Sequence, residues 1–476
     1  MGPRRKAIIL MSCCLSLLIV SMDATIVNVA IPSIRTDLGA SASQLQWVVD
    51  IYTLVLASLL MLSGATGDRF GRRRVFQIGL TAFALGSLLC SLAPTIEMLI
   101  VARFVQAIGG SMMNPVALSI ISQIFTGRVE RARAVGIWGG VVGISMALGP
   151  IVGGALIEWI GWRSVFWINL PICAAAILLT ALFVPESKSA TMRNIDPVGQ
   201  GLAVTFLFGL VFTLIEGPVL GWSNPRTIAV AVVAAIAFVA FLRFEARRDG
   251  PFIDLRFFRS IPFASATVLA ISAFAAWGAF LFMMSLYLQG ERGFSAMHTG
   301  LIYLPIAIGA LVFSPLSGRL VGRFGARPSL LAAGVLIVAA SVMLTFMTAT
   351  TPVWELLIVF AVFGIGFALV NAPITNSAVS GMPLDRAGAA SAVTSTSRQI
   401  GVSIGVALCG SLSGAALAHT ADFATAARPL WFVCVALGLV VFTLGFVSTS
   451  RRSLATADRL APLIEGTVVR RGMHVG

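Results

Sequence analysis

The sequence predicts an all-α integral membrane protein with fourteen transmembrane helices, arranged as two parallel six-helix bundles plus two extra central helices. Three observations predict it. Of 476 residues, 58% are hydrophobic and 11% charged, more apolar surface than a soluble core needs. The apolar residues gather into fourteen runs long enough to span a bilayer. One short basic turn is used twice, half a chain apart.

The runs cover 8–32, 45–66, 75–93, 97–124, 133–158, 163–184, 198–217, 227–243, 261–289, 300–318, 327–347, 354–378, 389–416 and 429–448. The first follows M-G-P-R-R-K and imitates a secretory signal. It is too long for one, contains Asp23 and lacks a clear A-x-A site, so it is read as a retained helix 1. Helix 2 carries Asp50 and leads into G-A-T-G-D-R-F-G-R-R-R, Gly64 to Arg74. Helix 4 carries Arg103 and G-G-S-M-M-N-P; helix 5 is rich in glycine and holds Pro150. A polar linker, Pro185 to Asp196, and a charged one, Arg243 to Arg259, bracket helices 7 and 8. The turn returns after helix 10 as G-R-L-V-G-R-F-G-A-R, Gly318 to Arg327. Gly64, Arg69, Phe70, Gly71 and Arg73 each recur 254 residues later; Asn114 and Asn371 are 257 apart, Arg131 and Arg386 255 apart. Eight helices separate the two turns, so both lie on one face and the repeat is parallel. The expected organisation is a first bundle at 1–190, two linker helices at 191–260, a second bundle at 261–450 and a cytoplasmic tail at 451–476.

Charge placement sets the expected topology. The net charge is +14, and 26 of the 33 Lys and Arg lie at the N-terminus, in the loops on that side or in the tail. The opposite loops hold five: Arg35, Arg163, Arg226, Arg292 and Arg428. Such a bias places both termini in the cytoplasm. The basic balance is thus a topology signal, and nucleic acid is not an expected partner. The six cysteines form no C-x-x-C, so neither a disulfide framework nor a metal site is expected. The only lysines, Lys6 and Lys188, follow Arg5 and Ser187, so no G-K-[ST] phosphate loop exists. Neither H-E-x-x-H nor a nucleophile elbow occurs; no cofactor and no enzyme activity are expected.

The combined motifs resemble the major facilitator superfamily, and within it the fourteen-helix drug:proton antiporter branch. D-R-F-G-R-R-R matches the superfamily's loop 2–3 motif. L-I-V-S-M-D-A-T-I-V-N-V-A-I-P matches the branch's helix 1 motif, with Asp23 at its acidic position; R-F-V-Q-A-I-G-G supplies the helix 4 arginine, Arg103. G-I-S-M-A-L-G-P-I-V-G-G matches the exporter motif of helix 5, and S-L-Y-L-Q with G-F-S-A-M-H-T-G-L-I-Y-L-P matches helices 9 and 10. L-I-E-G-P-V-L-G-W resembles the subgroup that includes actinomycete antibiotic exporters. The resemblance implies a monomeric multi-pass protein of the bacterial cytoplasmic membrane that exchanges protons for drugs or antibiotics. Export of one endogenous metabolite or lipid stays open, as does a membrane sensor or enzyme on the same fold.

Site expectations follow. A carboxylate inside an apolar helix must be paired, hydrated or protonated. At about 1.5 Å per residue, Asp23, Arg103 and Asp50 lie about 13, 9 and 8 Å from the outer ends of their helices, in one layer. They are the proton-coupling candidates; a fixed structural ion pair, or an interfacial Asp50, is the alternative. Gly64, Asp68, Arg69, Gly71 and Arg72 form an expected conformational switch, asymmetric because Gly322 stands in place of Asp68. Gly143, Gly149, Pro150, Gly153 and Gly154 form a hinge or seal, or simply dense packing. Candidates to line a midplane pocket are Trp47, Tyr52, Met112, Met113, Asn114, Trp277, Met283, Met284, Tyr287, Tyr303, Asn371 and Asn376; each could equally be ordinary packing. No acid lies well inside helices 9 to 14, where Arg398 is the only deep charge; an acid across the pore, a carbonyl cluster and an anionic substrate are its possible partners, and a structural role stands beside the substrate contact.

Overall fold

Helices account for all the regular structure among the described residues, because a chain crossing lipid must satisfy its backbone internally. The computed structural model describes residues 2–188, 196–248, 253–380, 382, 387–417, 422–457 and 459. In order these form α1 (Pro3–Leu38), α2 (Ala42–Phe70), α3 (Arg72–Leu92), α4 (Ile96–Ile124), α5 (Arg128–Trp159), α6 (Ser164–Trp167), α7 (Asn169–Phe183), α8 (Pro197–Leu220) and α9 (Pro225–Arg247). There follow α10 (Ile261–Leu286), α11 (Ala296–Ile302), α12 (Leu304–Phe324), α13 (Ala326–Thr345), α14 (Val353–Val379), α15 (Ala387–Leu417) and α16 (Phe423–Val447). Helices α6 and α7 form one rod, as do α11 and α12, and α10 runs on to Glu291.

Twelve rods among the described residues are long and apolar enough to cross a membrane. Of the two remaining expected spans, α5 offers the shorter apolar stretch Leu148–Trp159, and the other is α15. The helices overrun the apolar runs: α1 begins at Pro3 and ends at Leu38, against an expected 8–32. Hydropathy reads the width of the hydrocarbon, whereas helices continue into the headgroup layer. Polar caps mark several ends. Ser41 and Gln44 exchange side-chain-to-backbone bonds of 3.3 and 2.9 Å before α2, and Thr95 accepts from the Met98 amide before α4.

The repeated turn uses one backbone device twice. Gly71 joins α2 to α3 at φ 114°, and Gly325 joins α12 to α13 at φ 79°. Both values lie where a side chain is strained, which accounts for glycine at the repeated position. Arg386, of the other repeat pair, lies outside the described residues, as do most of the first linker, part of the second and most of the tail.

Packing divides the rods. In the first half α3 and α2 lie on α4, and α1 on α5 and α7. In the second, α10 lies on α15, α13 on α16, and α14 on α12 and α13. Helices α8 and α9 pack on each other, and α8 rests on α2 and α15. The halves meet through α1–α10, α2–α15 and α5 against α11 and α12. Small residues set the close approaches: Gly86 abuts Gln106, Gly334 abuts Phe442, and Gly278 abuts Val402. Trp159, Trp167, Trp222 and Trp354 are exposed at or beside helix ends on the side opposite the N-terminus, as an aromatic belt requires.

Candidate functional site

Asp23 is enclosed in a polar cage built by four helices of the first half. It is fully buried on α1, and Arg103 of α4 donates to its Oδ2. Gln106 Nε2 and Asn169 Nδ2 donate to Oδ1 at 2.8 and 3.2 Å. Ser87 of α3 accepts from Gln106 and Asn169 at 2.8 and 3.3 Å. Arg103 also donates to the Val48 carbonyl at 3.1 Å and to Gln106 Oε1 at 2.7 Å, and lies 4.1 Å from the Tyr52 ring centroid. Removing an ion pair from water is expensive, and this cage offsets that cost with hydrogen bonds to both partners. The geometry also leaves room for a second state. Asn169 Oδ1 is buried with no hydrogen-bond partner, and it belongs to the amide already bonded to Asp23. In this orientation the amide nitrogen, not Oδ1, faces Asp23; a turn of the amide would present Oδ1 to an Asp23 O–H.

Asp23 and Arg103, expected in one layer, meet in this cage, and Tyr52, expected to line a pocket, flanks Arg103. Sequence reasoning missed Gln106, Asn169 and Ser87. Gln106 is one turn after Arg103, and that spacing places both on one helix face. No comparable signal identifies Ser87 or Asn169, which arrive from other helices.

Asp50 sits elsewhere, in the α2–α15 contact between the halves. It is fully buried, and among the described residues neither carboxylate oxygen has a hydrogen-bond partner. The Ser403 hydroxyl of α15 faces it across the seam without a bond of ordinary geometry. One turn before Asp50, Trp47 turns to the surplus helix and donates to Glu216 Oε1 of α8 at 2.8 Å. Trp47 therefore ties α8 to α2, and Glu216, near the end of a helix long and apolar enough to span, is an acid that the site expectations omit.

The seam is closed at the end away from the N-terminus. There Gln46 donates to the Val406 carbonyl, Gln289 Nε2 to the Val29 carbonyl at 2.9 Å, and the Met297 amide to Glu158 at 3.4 Å. The glycine motif of α5 serves two contacts. Gly149 and Gly153 admit Thr25 and Ile26 of α1; Gly154 admits the backbone of Ala296 and Met297 of α11. The Pro150 carbonyl lies against Gly300 in return, and Gly143 lies in the same helix. A side chain at Gly154 would collide with backbone rather than with a flexible neighbour. Gly154→Val is therefore expected to open the seam and raise labelling of a cysteine at Asp50, in the Asp50→Cys background, by a membrane-impermeant maleimide. Unchanged labelling would contradict the contact.

The repeated turn is held within its own half. Asp68 accepts from Arg72 at 2.8 Å, and Arg72 reaches Gln123 of α4 at 3.1 Å. Glu186, beyond α7, accepts the Arg73 amide at 3.1 Å and lies 3.6 Å from Arg74. Gly64 and Gly67 admit Pro115 and Val116 of α4; Arg69 is exposed over Phe70. The second copy carries no such acid. Arg323 and Arg327 instead stack on Phe324 and Phe446, 5.4 and 4.0 Å from the ring centroids.

The remaining pocket candidates lie apart. Trp277 is stacked on Phe367 at 4.2 Å, Met113, Met283 and Met284 are fully buried, and Tyr287 donates to the Thr348 carbonyl at 2.6 Å. Tyr303 bonds the Leu281 carbonyl at 3.1 Å. Met112, Asn114 and Asn371 are half-buried and Asn376 is exposed; Asn114 Oδ1 has no partner.

Comparison with known proteins shows the family. The model of the Major Facilitator Superfamily matches residues 13–406. The multidrug resistance protein Stp of Mycobacterium tuberculosis is 37% identical over 419 residues, 88% of this chain and 78% of that protein. The tetracenomycin C resistance and export protein of Streptomyces glaucescens is 35% identical, over 85% of this chain and 75% of its own length. The puromycin resistance protein pur8 of Streptomyces alboniger is 34% identical, over 86% and 82%.

Proposed function

We propose that this chain, which belongs to the Major Facilitator Superfamily, exports drugs or antibiotics across the bacterial cytoplasmic membrane in exchange for protons. The observation that carries the reading is Asp23, a fully buried carboxylate held by an arginine and two amides inside an apolar bundle. A turn of the Asn169 amide would present its partnerless Oδ1 to a protonated Asp23, an acceptor that a permanent structural pair does not need. Resistance and export are what the relatives' names state of those proteins.

In this reading fourteen spans form six, two and six, with the bundles at 1–190 and 261–450, the linker pair at 191–260 and the tail at 451–476. The basic end, with both termini, faces the cytoplasm. The closed seam is then the outer one, and the conformation is inward-facing. Asp50 is the second proton carrier: in the closed seam a charge on it has no partner, and opening the seam brings it to water. Asp68 and Arg72 hold the switch turn, Gly149, Pro150, Gly153 and Gly154 let α5 close on both neighbours, and substrate binds between the halves. The chain works as a monomer and uses no cofactor.

The reading is tested in a pump-deficient bacterial host carrying the wild-type chain and challenged with a drug panel. The expected result is energy-dependent efflux that an uncoupler abolishes. Efflux that persists unchanged with the uncoupler would contradict proton coupling.

A further inference from the structure

Arg398 is the deep cation of the second half, and it differs from Arg103 in one respect. Arg103 has a carboxylate; Arg398 has neutral oxygens only. It sits where α10, α14 and α15 meet, donating to Thr375 Oγ1 at 2.7 Å and reaching the Asn371 carbonyl at 3.4 Å. No acid lies within ion-pair distance of it among the described residues, and its Nε is buried with no partner at all. A guanidinium presents five donors in a rigid plane, matched to two-point recognition of carboxylates. Here the plane is only partly used.

The surroundings add shape. The Arg398 guanidinium lies 5.6 Å from the Phe274 ring centroid. Phe274 meets Phe367 edge-on at 5.0 Å, and Phe367 stacks on Trp277 at 4.2 Å. Phe274 and Asn371 are half-buried and Thr375 is exposed, so the group is reachable at one side. A fixed cation, a free donor and an adjoining aromatic wall form a subsite for a flat molecule with a negative group.

We infer that Arg398 is the substrate's anion subsite, so that the transported class includes aromatic compounds bearing a carboxylate or an ionised enol or phenol. The inference rests on the export reading above and narrows it. It also explains why the second half retains a half-buried charge: no carboxylate among the described residues meets it, and the substrate supplies the counter-ion. Occupation by an anion neutralises Arg398 as Asp23 neutralises Arg103, and so favours moving the loaded carrier across the apolar core.

The test uses purified full-length protein in liposomes under an imposed proton gradient, with two flat probes of opposite charge, nalidixate and ethidium. Wild type is expected to accumulate both. Arg398→Gln is expected to lower nalidixate affinity about tenfold or more, the loss typical of a charge-assisted bond, and to leave ethidium unchanged. Arg398→Lys, which keeps the charge but not the fork, falls between. Wild type that carries ethidium but not nalidixate overturns the anion subsite and leaves drug export standing. Nalidixate carried by Arg398→Gln at the wild-type level also overturns it. Loss of both probes in the Gln and Lys variants alike places Arg398 in structural packing and overturns it too. Gradient-independent movement of both probes in wild type would instead sink the export reading itself.

Discussion

Asp23→Asn is expected to abolish uphill export while the protein still folds and binds substrate. The substitution keeps the shape and removes the site of protonation. Arg103 retains the Val48 carbonyl, the Gln106 Oε1 contact and the Tyr52 ring, and the new amide oxygen can accept from it. The Asn169 amide can turn to present oxygen rather than nitrogen to the new amide, while Gln106 keeps its oxygen on Arg103 and its nitrogen on Ser87, so the cage adapts. The loss falls on coupling. One proton descending about 100 mV contributes about 2.3 kcal/mol, equivalent to roughly a fiftyfold concentration ratio. That ratio should fall to unity in the variant, while equilibrium binding of the same drug stays near the wild-type value. Accumulation in energised vesicles, measured beside binding in detergent, checks both halves of this expectation. Retained accumulation would remove Asp23 from the coupling path.

Arg103→Ala is expected to have the larger effect on stability, and the second change Asp23→Asn should recover much of it. Arg103 is about as buried as Asp23, and removing it strips the carboxylate of its counter-charge. Breaking a buried pair from one side costs about 3–5 kcal/mol, because the remaining charge is left uncompensated. It also leaves a void against Tyr52 and Phe166. Asp23→Asn removes the orphaned charge and leaves only the void. The apparent melting temperature in detergent should therefore rank wild type highest, the double variant between, and Arg103→Ala lowest. A double variant no more stable than Arg103→Ala would mean that the pair is not the source of the loss.

The fold was legible because lipid leaves a chain few options. Apolar runs, basic loops and a repeated glycine turn all report the same constraint, and the rods that satisfy it follow the expected order. What the sequence could not show was partnership. Asp23 and Arg103 stand out as charges in apolar runs, so their meeting was foreseeable. Ser87 and Asn169 are small uncharged residues, and only the packing of α3 and α7 on α1 and α4 brings them to Asp23. Asp50 looked like a third member of the same layer. Depth along a helix says nothing of azimuth, and its side chain faces α15 rather than the cage. Trp47 suited an apolar pocket by type, yet its indole N–H requires an acceptor when partly buried, and Glu216 of the surplus helix provides one. The glycines of α5 were read as one motif; the structure separates them into a face for α1 and a face for α11.

The two halves are chemically unequal. The first half holds Asp23 in its cage and the acid of the repeated turn; the second holds an arginine that meets no acid among the described residues. Proton and substrate would then use different halves, joined at the α2–α15 and α5–α11 seam. The most direct measurement is proton movement itself, followed with a pH-sensitive dye inside liposomes containing the purified protein when drug is added outside without any imposed gradient. Wild type is expected to show a drug-dependent internal pH change that is absent in Asp23→Asn, although both bind the drug. Equal pH changes in the two proteins, or none in a wild type that still moves drug, would contradict it.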